Sequence, residues 1–189
     1  MQQVAIFASG KGSNAQAIIQ YFEKHPTIQV ALVVTNNPGA GVIKIAHQHK
    51  IISAIAGKNF LENEENMNRL LDALKIDMIV LAGYLQLVPS FLIAKYNGRI
   101  INIHPALLPR HGGKGMYGSK VHQAVLTAGD AETGITIHHV TEHYDEGEVI
   151  LQKKLAVDAA DTADTLAQKV LALEHEWYPK AIEGMLAGA

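Results

Sequence analysis

The feature that most limits how this chain can fold is a series of short, unbroken apolar runs, each closed by glycine, proline or small polar residues. Val4-Ala5-Ile6-Phe7-Ala8 ends at Ser9-Gly10-Lys11-Gly12-Ser13, and Val30-Ala31-Leu32-Val33-Val34 stops at Thr35-Asn36-Asn37-Pro38-Gly39. Met78-Ile79-Val80-Leu81-Ala82 runs into Gly83, and Ile100-Ile101-Asn102-Ile103-His104 is ended by Pro105. A strand without polar alternation has no wet face, so these runs read as strands covered by helices on both sides. Helical spacing appears between them: Ala15, Ile18, Ile19 and Phe22 after the first strand, residues 43–49 after the second, and Met67, Leu70, Leu71 and Leu74 within residues 66–74. A short strand is expected at residues 51–55. The implied class is α/β, an open, doubly wound and mostly parallel sheet.

Beyond Pro109 the pattern changes to a glycine-rich loop, a helix near residues 120–126, and two strands at 134–140 and 148–157 separated by a loop at 141–147. These strands are expected to pair antiparallel at one side of the sheet. Residues 162–186 close the chain as an amphipathic helix, with Pro179 marking a break or kink. A chain of 189 residues without internal repeat or shift of composition is expected to form one domain over 1–189.

Composition removes several classes of function. The balance of 16 Lys+Arg against 18 Asp+Glu, net -2, leaves no basic stripe for a nucleic-acid backbone. No apolar run approaches the roughly 20 residues that span a bilayer, and the start of the chain lacks the layout of a signal peptide, so a cytoplasmic protein is expected. Without cysteine there is no disulfide, thiolate metal site or thiol nucleophile. The 10 histidines form no H-E-x-x-H pattern, so no metal is expected and they read as scattered surface or core residues. Chemistry therefore falls to His, Asp, Asn, Ser, Lys and backbone groups.

In an open parallel sheet, ligands bind beyond the carboxyl ends of the strands. Three places there carry suitable groups. Gly10-Lys11-Gly12-Ser13-Asn14 lies where a strand feeds a helix, where N–H groups can hold a phosphate; as a bare pattern it is also a glycine turn with an N-cap. It fits the dinucleotide spacing G-x-G-x-x-G/A as well, but the second strand ends in Thr35-Asn36-Asn37 without the acidic residue that reads a ribose. Asn102 and His104, two apart on one strand, share a face and can converge on one atom, as acyl transfer requires; each equally reads as a cap. Asp145, in the loop Tyr144-Asp145-Glu146-Gly147, can orient an imidazole or stand as a solvated loop carboxylate. His138 and His139 are adjacent on a strand and face opposite ways.

Together, Gly10-Lys11-Gly12-Ser13-Asn14, Ala82-Gly83-Tyr84-Leu85, Asn102-Ile103-His104-Pro105-Ala106-Leu107-Leu108-Pro109 and Asp145-Glu146-Gly147 resemble the phosphoribosylglycinamide formyltransferase family over nearly the whole chain. The resemblance implies transfer of a formyl group from 10-formyltetrahydrofolate to the amine of glycinamide ribonucleotide. It implies small-molecule substrates, no tightly bound cofactor and a monomer or homodimer. Asn102, His104 and Asp145 would be catalytic, with a protonated His104 kept charged by Asp145. Gly12, Ser13 and Asn14 would hold the ribonucleotide phosphate and Glu174 its ribose. Leu85, Gln86, Leu87 and Val88, with Asn102, Thr141, Glu142, His143, Tyr144 and Asp145, would form the folate pocket.

The chain departs from the family pattern at three places. Gln86 stands where Arg or Lys is frequent, Glu64 stands where a basic residue would meet the folate tail, and residues 110–119 are longer and richer in glycine than usual. The alternatives are a hydrolase of the same donor or a transferase with another amine acceptor, either expected to carry an additional domain. A dehydrogenase or nucleotide-binding module would explain only the first loop.

Overall fold

The computed structural model describes residues 1–57 and 63–188. Its elements follow in the order β1 (Gln2–Phe7), α1 (Ser13–Phe22), β2 (Ile28–Thr35), α2 (Gly41–Gln48), β3 (Ile52–Ile55), α3 (Glu64–Ala73) and β4 (Ile76–Leu81). They continue as α4 (Ser90–Lys95), β5 (Ile100–His104), α5 (Ser119–Ala128), β6 (Glu132–His139), β7 (Val149–Ala156) and α6 (Ala163–Ala187). The strands form one sheet in the order β3-β2-β1-β4-β5-β6-β7. The first five are parallel, and β6 pairs antiparallel with both β5 and β7, at the side of the sheet where antiparallel strands are expected.

The doubly covered strands follow directly from the apolar runs. Along β1, Val4 and Ile6 enter one core with Ile18, Ile19, Val42, Val170, Tyr178 and Ile182, whereas Ala5 and Phe7 enter the opposite core with Met67, Leu71 and Leu92. The larger of these side chains contribute about 1.5–3 kcal/mol each on burial, so neither face tolerates a polar residue between Val4 and Phe7. Polar groups are displaced to strand ends. There Ser9 joins three loops: its Oγ donates to Asn36 Oδ1 at 2.6 Å, accepts the Leu85 N–H at 3.0 Å, and its own N–H reaches the Gly83 carbonyl at 3.1 Å.

Two features differ from the sequence reading. Helix α4 is absent from it, because six residues between Pro89 and Tyr96 are too few to show a 3.6-residue period. Pro179 does not break the last helix, which runs without interruption from Ala163 to Ala187 with the proline buried. The missing N–H removes only the bond to the carbonyl four residues earlier, and packing of Val170, Tyr178 and Ile182 on both sides of the proline holds the helix together. Thr162 closes the amino end of that helix in a reciprocal capping box with Thr165.

Helix α6 is locked to the sheet by one buried hydroxyl. Tyr178 is fully buried, and its OH reaches the Leu81 carbonyl at the end of β4 at 2.8 Å and the Ile101 carbonyl of neighbouring β5 at 3.2 Å. Tyr178→Phe preserves the ring and leaves these carbonyls without that donor, and should cost about 1–2 kcal/mol in urea unfolding; a loss below a few tenths would show that the bond does not anchor the helix.

Candidate active site

A cavity of about 600 Å³ opens at the carboxyl ends of β4 and β5, a volume suited to a substrate-sized guest. Its lining joins Asn14, Glu174, Leu85, Gln86, Leu87, Val88, Asn102, His104, Thr141, His143, Tyr144 and Asp145. Gly12 and Ser13 lie outside this lining, one and two residues before Asn14, and Glu142 also lies outside it on its loop. Gly12 precedes α1 with φ 85, and a Cβ there would sit 2.8 Å from the Val42 Cβ, so glycine is required for both the turn and the close approach of α2. No side chain caps α1, which leaves its first N–H groups directed out of the helix beside Asn14.

Asn102 and His104 share one face at the end of β5, as their spacing dictates. The antiparallel register sets His138 directly across from Asn102, and the Asn102 Nδ2 lies 3.2 Å from His138 Nε2. His138 Nδ1 is 2.8 Å from the His139 carbonyl. A carbonyl only accepts, so Nδ1 carries the proton and Nε2 accepts from the Asn102 amide. The same reasoning fixes His104: its Nε2 lies 2.8 Å from the His111 carbonyl and donates to it. The basic nitrogen of His104 is therefore Nδ1, which faces Asp145 Oδ2 at 3.5 Å.

Asp145 is the centre of the cluster. Held in a left-handed conformation with φ 59, it accepts the Gly113 N–H at 2.9 Å on Oδ2 and lies 3.5 Å from Asn102 Nδ2 and 3.6 Å from His138 Nε2 on Oδ1. Burial pushes its carboxyl up, but the His138 and His104 imidazoles and the Gly113 N–H outweigh this and hold it below the ordinary carboxylate range.

The expected imidazolium at His104 is corrected by the structure. The ring is 3% exposed, and this burial lowers its pKa against the opposing pull of Asp145 and the His111 carbonyl, so the resting imidazole is neutral. Near-complete removal of water outweighs a single carboxylate that does not make a short hydrogen bond.

Glu174 lies at the other end of the cavity, where its Oε2 accepts from Asn14 Nδ2 at 2.9 Å. Burial raises its pKa to about 7, although the Asn14 bond opposes the shift. Asn14 Oδ1 is itself buried with no hydrogen-bond partner, an acceptor directed at nothing in the protein. His138 and His122 are cavity histidines to which sequence reasoning gave no role in the site. His122 is buried on α5, and burial followed by the nearby His104 lowers its pKa. Only the pairing of β6 with β5 and the docking of α5 bring them in, and neither is written in a local motif. Among the described residues, no three His, Asp or Glu side chains group to hold a metal ion, and no helix is long and apolar enough to cross a membrane.

A carboxamide, a neutral imidazole and an ionised carboxylate converging at the carboxyl edge of a parallel sheet define a site for acyl-group transfer. The chain belongs to the formyl transferase family, whose pattern matches residues 2–182. It is 38% identical to phosphoribosylglycinamide formyltransferase of Bacillus subtilis, covering 98% of this chain and 95% of that protein. It is 40% identical to the chloroplastic phosphoribosylglycinamide formyltransferase of Arabidopsis thaliana over 96% of this chain, but spans only 64% of that relative's length. The crystal structure of phosphoribosylglycinamide formyltransferase from Bacillus halodurans superposes with a TM-score of 0.87 at 37% identity, covering 98% of this chain and 95% of that one.

Glu174 generates a stability prediction whose sign is fixed. Its folded pKa of about 7 lies above its ordinary value of 4.5, so the folded state binds the extra proton. Its contribution is fully present at acid pH and is lost as pH rises from 4.5 through 7. Glu174→Gln keeps the Asn14 bond and removes the charge. Its melting temperature relative to the parent should be unchanged near pH 4 and higher by several degrees at pH 8, and a difference independent of pH would refute an ionising buried carboxyl.

Proposed function

We propose that this protein transfers the formyl group of 10-formyltetrahydrofolate to the amine of glycinamide ribonucleotide, giving formylglycinamide ribonucleotide and tetrahydrofolate. The observation that carries this reading is the convergence of Asn102, His104 and Asp145 in one cavity with Asn14 and Glu174. The names of the relatives above agree with it. The formyl donor is a co-substrate, released as tetrahydrofolate in each turnover, and no resident cofactor takes part.

The ribonucleotide enters along α1. Gly12, Ser13 and Asn14 receive its phosphate on the free N–H groups of the first helical turn, where the helix dipole favours an anion. The Glu174 carboxyl and the Asn14 Oδ1 take the ribose hydroxyls, which supplies the donor that this buried acceptor lacks. Leu85, Gln86, Leu87 and Val88 on one wall, with Thr141, Glu142, His143, Tyr144 and Asp145 on the other, hold the pterin. Main-chain groups carry that contact, so Gln86 in place of a basic residue leaves it intact.

The neutral amine attacks the formyl carbon, forming the new C–N bond and placing charge on the formyl oxygen. The Asn102 amide stabilises that oxygen: its bond to His138 is short, but its second N–H meets Asp145 only at 3.5 Å and is free to turn toward the oxyanion. His104 Nδ1, neutral at rest, accepts the proton that the amine loses, and the resulting imidazolium is held by Asp145. The proton then passes to the folate nitrogen as its bond to the formyl carbon breaks. A base is what the attacking step needs, so the lowered pKa of His104 serves the reaction.

The direct test incubates purified protein with 10-formyltetrahydrofolate, with and without glycinamide ribonucleotide, and measures tetrahydrofolate and formylated ribonucleotide together. Equal amounts of both, formed only when the ribonucleotide is present, are expected; folate release without it would instead identify a hydrolase. Asn102→Ala should lower kcat by roughly 10²–10³ while changing the KM for ribonucleotide much less, as loss of one oxyanion donor requires. An unaltered kcat would remove Asn102 from the reaction.

A further inference from the structure

Residues 110–113 touch both members of the imidazole–carboxylate pair through main-chain atoms. The His111 carbonyl accepts from His104 Nε2 at 2.8 Å, and the Gly113 N–H donates to Asp145 Oδ2 at 2.9 Å. The first of these contacts selects the tautomer that leaves His104 Nδ1 basic and aimed at Asp145. Its geometry depends on an unfavourable backbone, because His111 adopts φ 56, a left-handed conformation that costs a non-glycine residue about 1–2 kcal/mol. Something outside the cavity must hold it there.

Asp130 supplies the holding contact. His111 Nε2 lies 2.7 Å from Asp130 Oδ2, with both side chains largely shielded from water, and Arg110 reaches the other oxygen of the same carboxylate at 3.0 Å. The imidazole bond holds the Asp130 carboxyl below its ordinary range and so keeps it ionised. Asp130 is fixed in turn by the end of α5, where its N–H reaches the Val125 carbonyl at 3.3 Å. A continuous path of contacts therefore leads from the end of α5, through Asp130 and the His111 imidazole, to the carbonyl that orients His104.

We propose that His111 and Asp130 are positioning residues for formyl transfer: Asp130 grips the His111 ring and thereby holds the strained turn whose carbonyl fixes the tautomer and orientation of His104. The same turn delivers the Gly113 N–H to Asp145. This assignment rests on the catalytic roles given above to His104 and Asp145. It also gives the glycine-rich segment a place in the reaction.

The test compares full-length Asp130→Ala, Asp130→Asn, Arg110→Ala, His111→Phe and His104→Ala in steady-state formyl transfer across pH, with a melting curve for each. In Asp130→Ala, kcat should fall about 10- to 100-fold, the scale expected when a reacting group is misplaced by about an ångström, while the ribonucleotide KM stays within about threefold. The limb of the rate–pH curve that reports His104 should move to lower pH. Asp145, His138, His111 and His122 face that ring, and the variant removes the carbonyl contact that favours its charged form. Asp130→Asn, whose Oδ1 still accepts from His111, should recover most of the rate, and Arg110→Ala should match the parent. His111→Phe keeps the ring shape without the nitrogen and should repeat the Asp130→Ala phenotype, which keeps the proposal testable if that variant fails to fold. Parental kcat and pH profile in both Asp130→Ala and His111→Phe, with His104→Ala inactive, would overturn the positioning role alone. Full activity in His104→Ala would overturn the catalytic assignment on which it stands.

Discussion

The cavity is organised around a carboxylate that must stay ionised out of water. An isolated buried charge of this kind costs several kcal/mol, and Asp145 is made tolerable by the Gly113 N–H and the Asn102 amide, drawn from different parts of the chain. Hydrogen bonds to a charged acceptor contribute about 1.5–3 kcal/mol each, so the loop 141–147, the glycine-rich segment and the end of β5 are held together by the demand of one side chain.

Two properties of the site follow from this arrangement. Dehydration works against the charged form of His104 more strongly than one carboxylate at 3.5 Å works for it. In the proposed reaction this suits the imidazole to receive a proton, with the adjacent carboxylate favouring the imidazolium once the proton has moved. At the far end, Glu174 is raised by the same dehydration without a cation to offset it, so one buried acid is held ionised and another is held close to neutrality within a single cavity.

The sheet makes such a cavity possible by excluding polar groups elsewhere. With β1, β2, β4 and β5 buried on both faces, the polar residues in Ser9-Gly10-Lys11-Gly12-Ser13-Asn14 and at Asn102 and His104 have one available location, the carboxyl ends of the strands. The Ser9 contacts and the Tyr178 hydroxyl then fix those ends relative to one another and to α6, which carries Glu174. The same helix that seals one face of the sheet thus supplies the side chain opposite the phosphate loop.

The sequence by itself determined the class of fold, because unbroken apolar runs such as Val4-Ala5-Ile6-Phe7-Ala8 can be satisfied only between two layers. It determined that Asn102 and His104 share a face, because side chains two apart on a strand must, and its motifs determined the family. Tertiary structure alone decided the rest. His138 became an active-site residue through the register of β6 on β5, which local pattern does not encode, and α4 formed because packing supports six residues that show no period. Pro179 lies inside a helix because contacts on both sides of it outweigh one missing hydrogen bond. The protonation of His104 was decided there as well, since a pKa depends on how much water is removed and which groups remain nearby, quantities that exist only once the chain has closed around the ring.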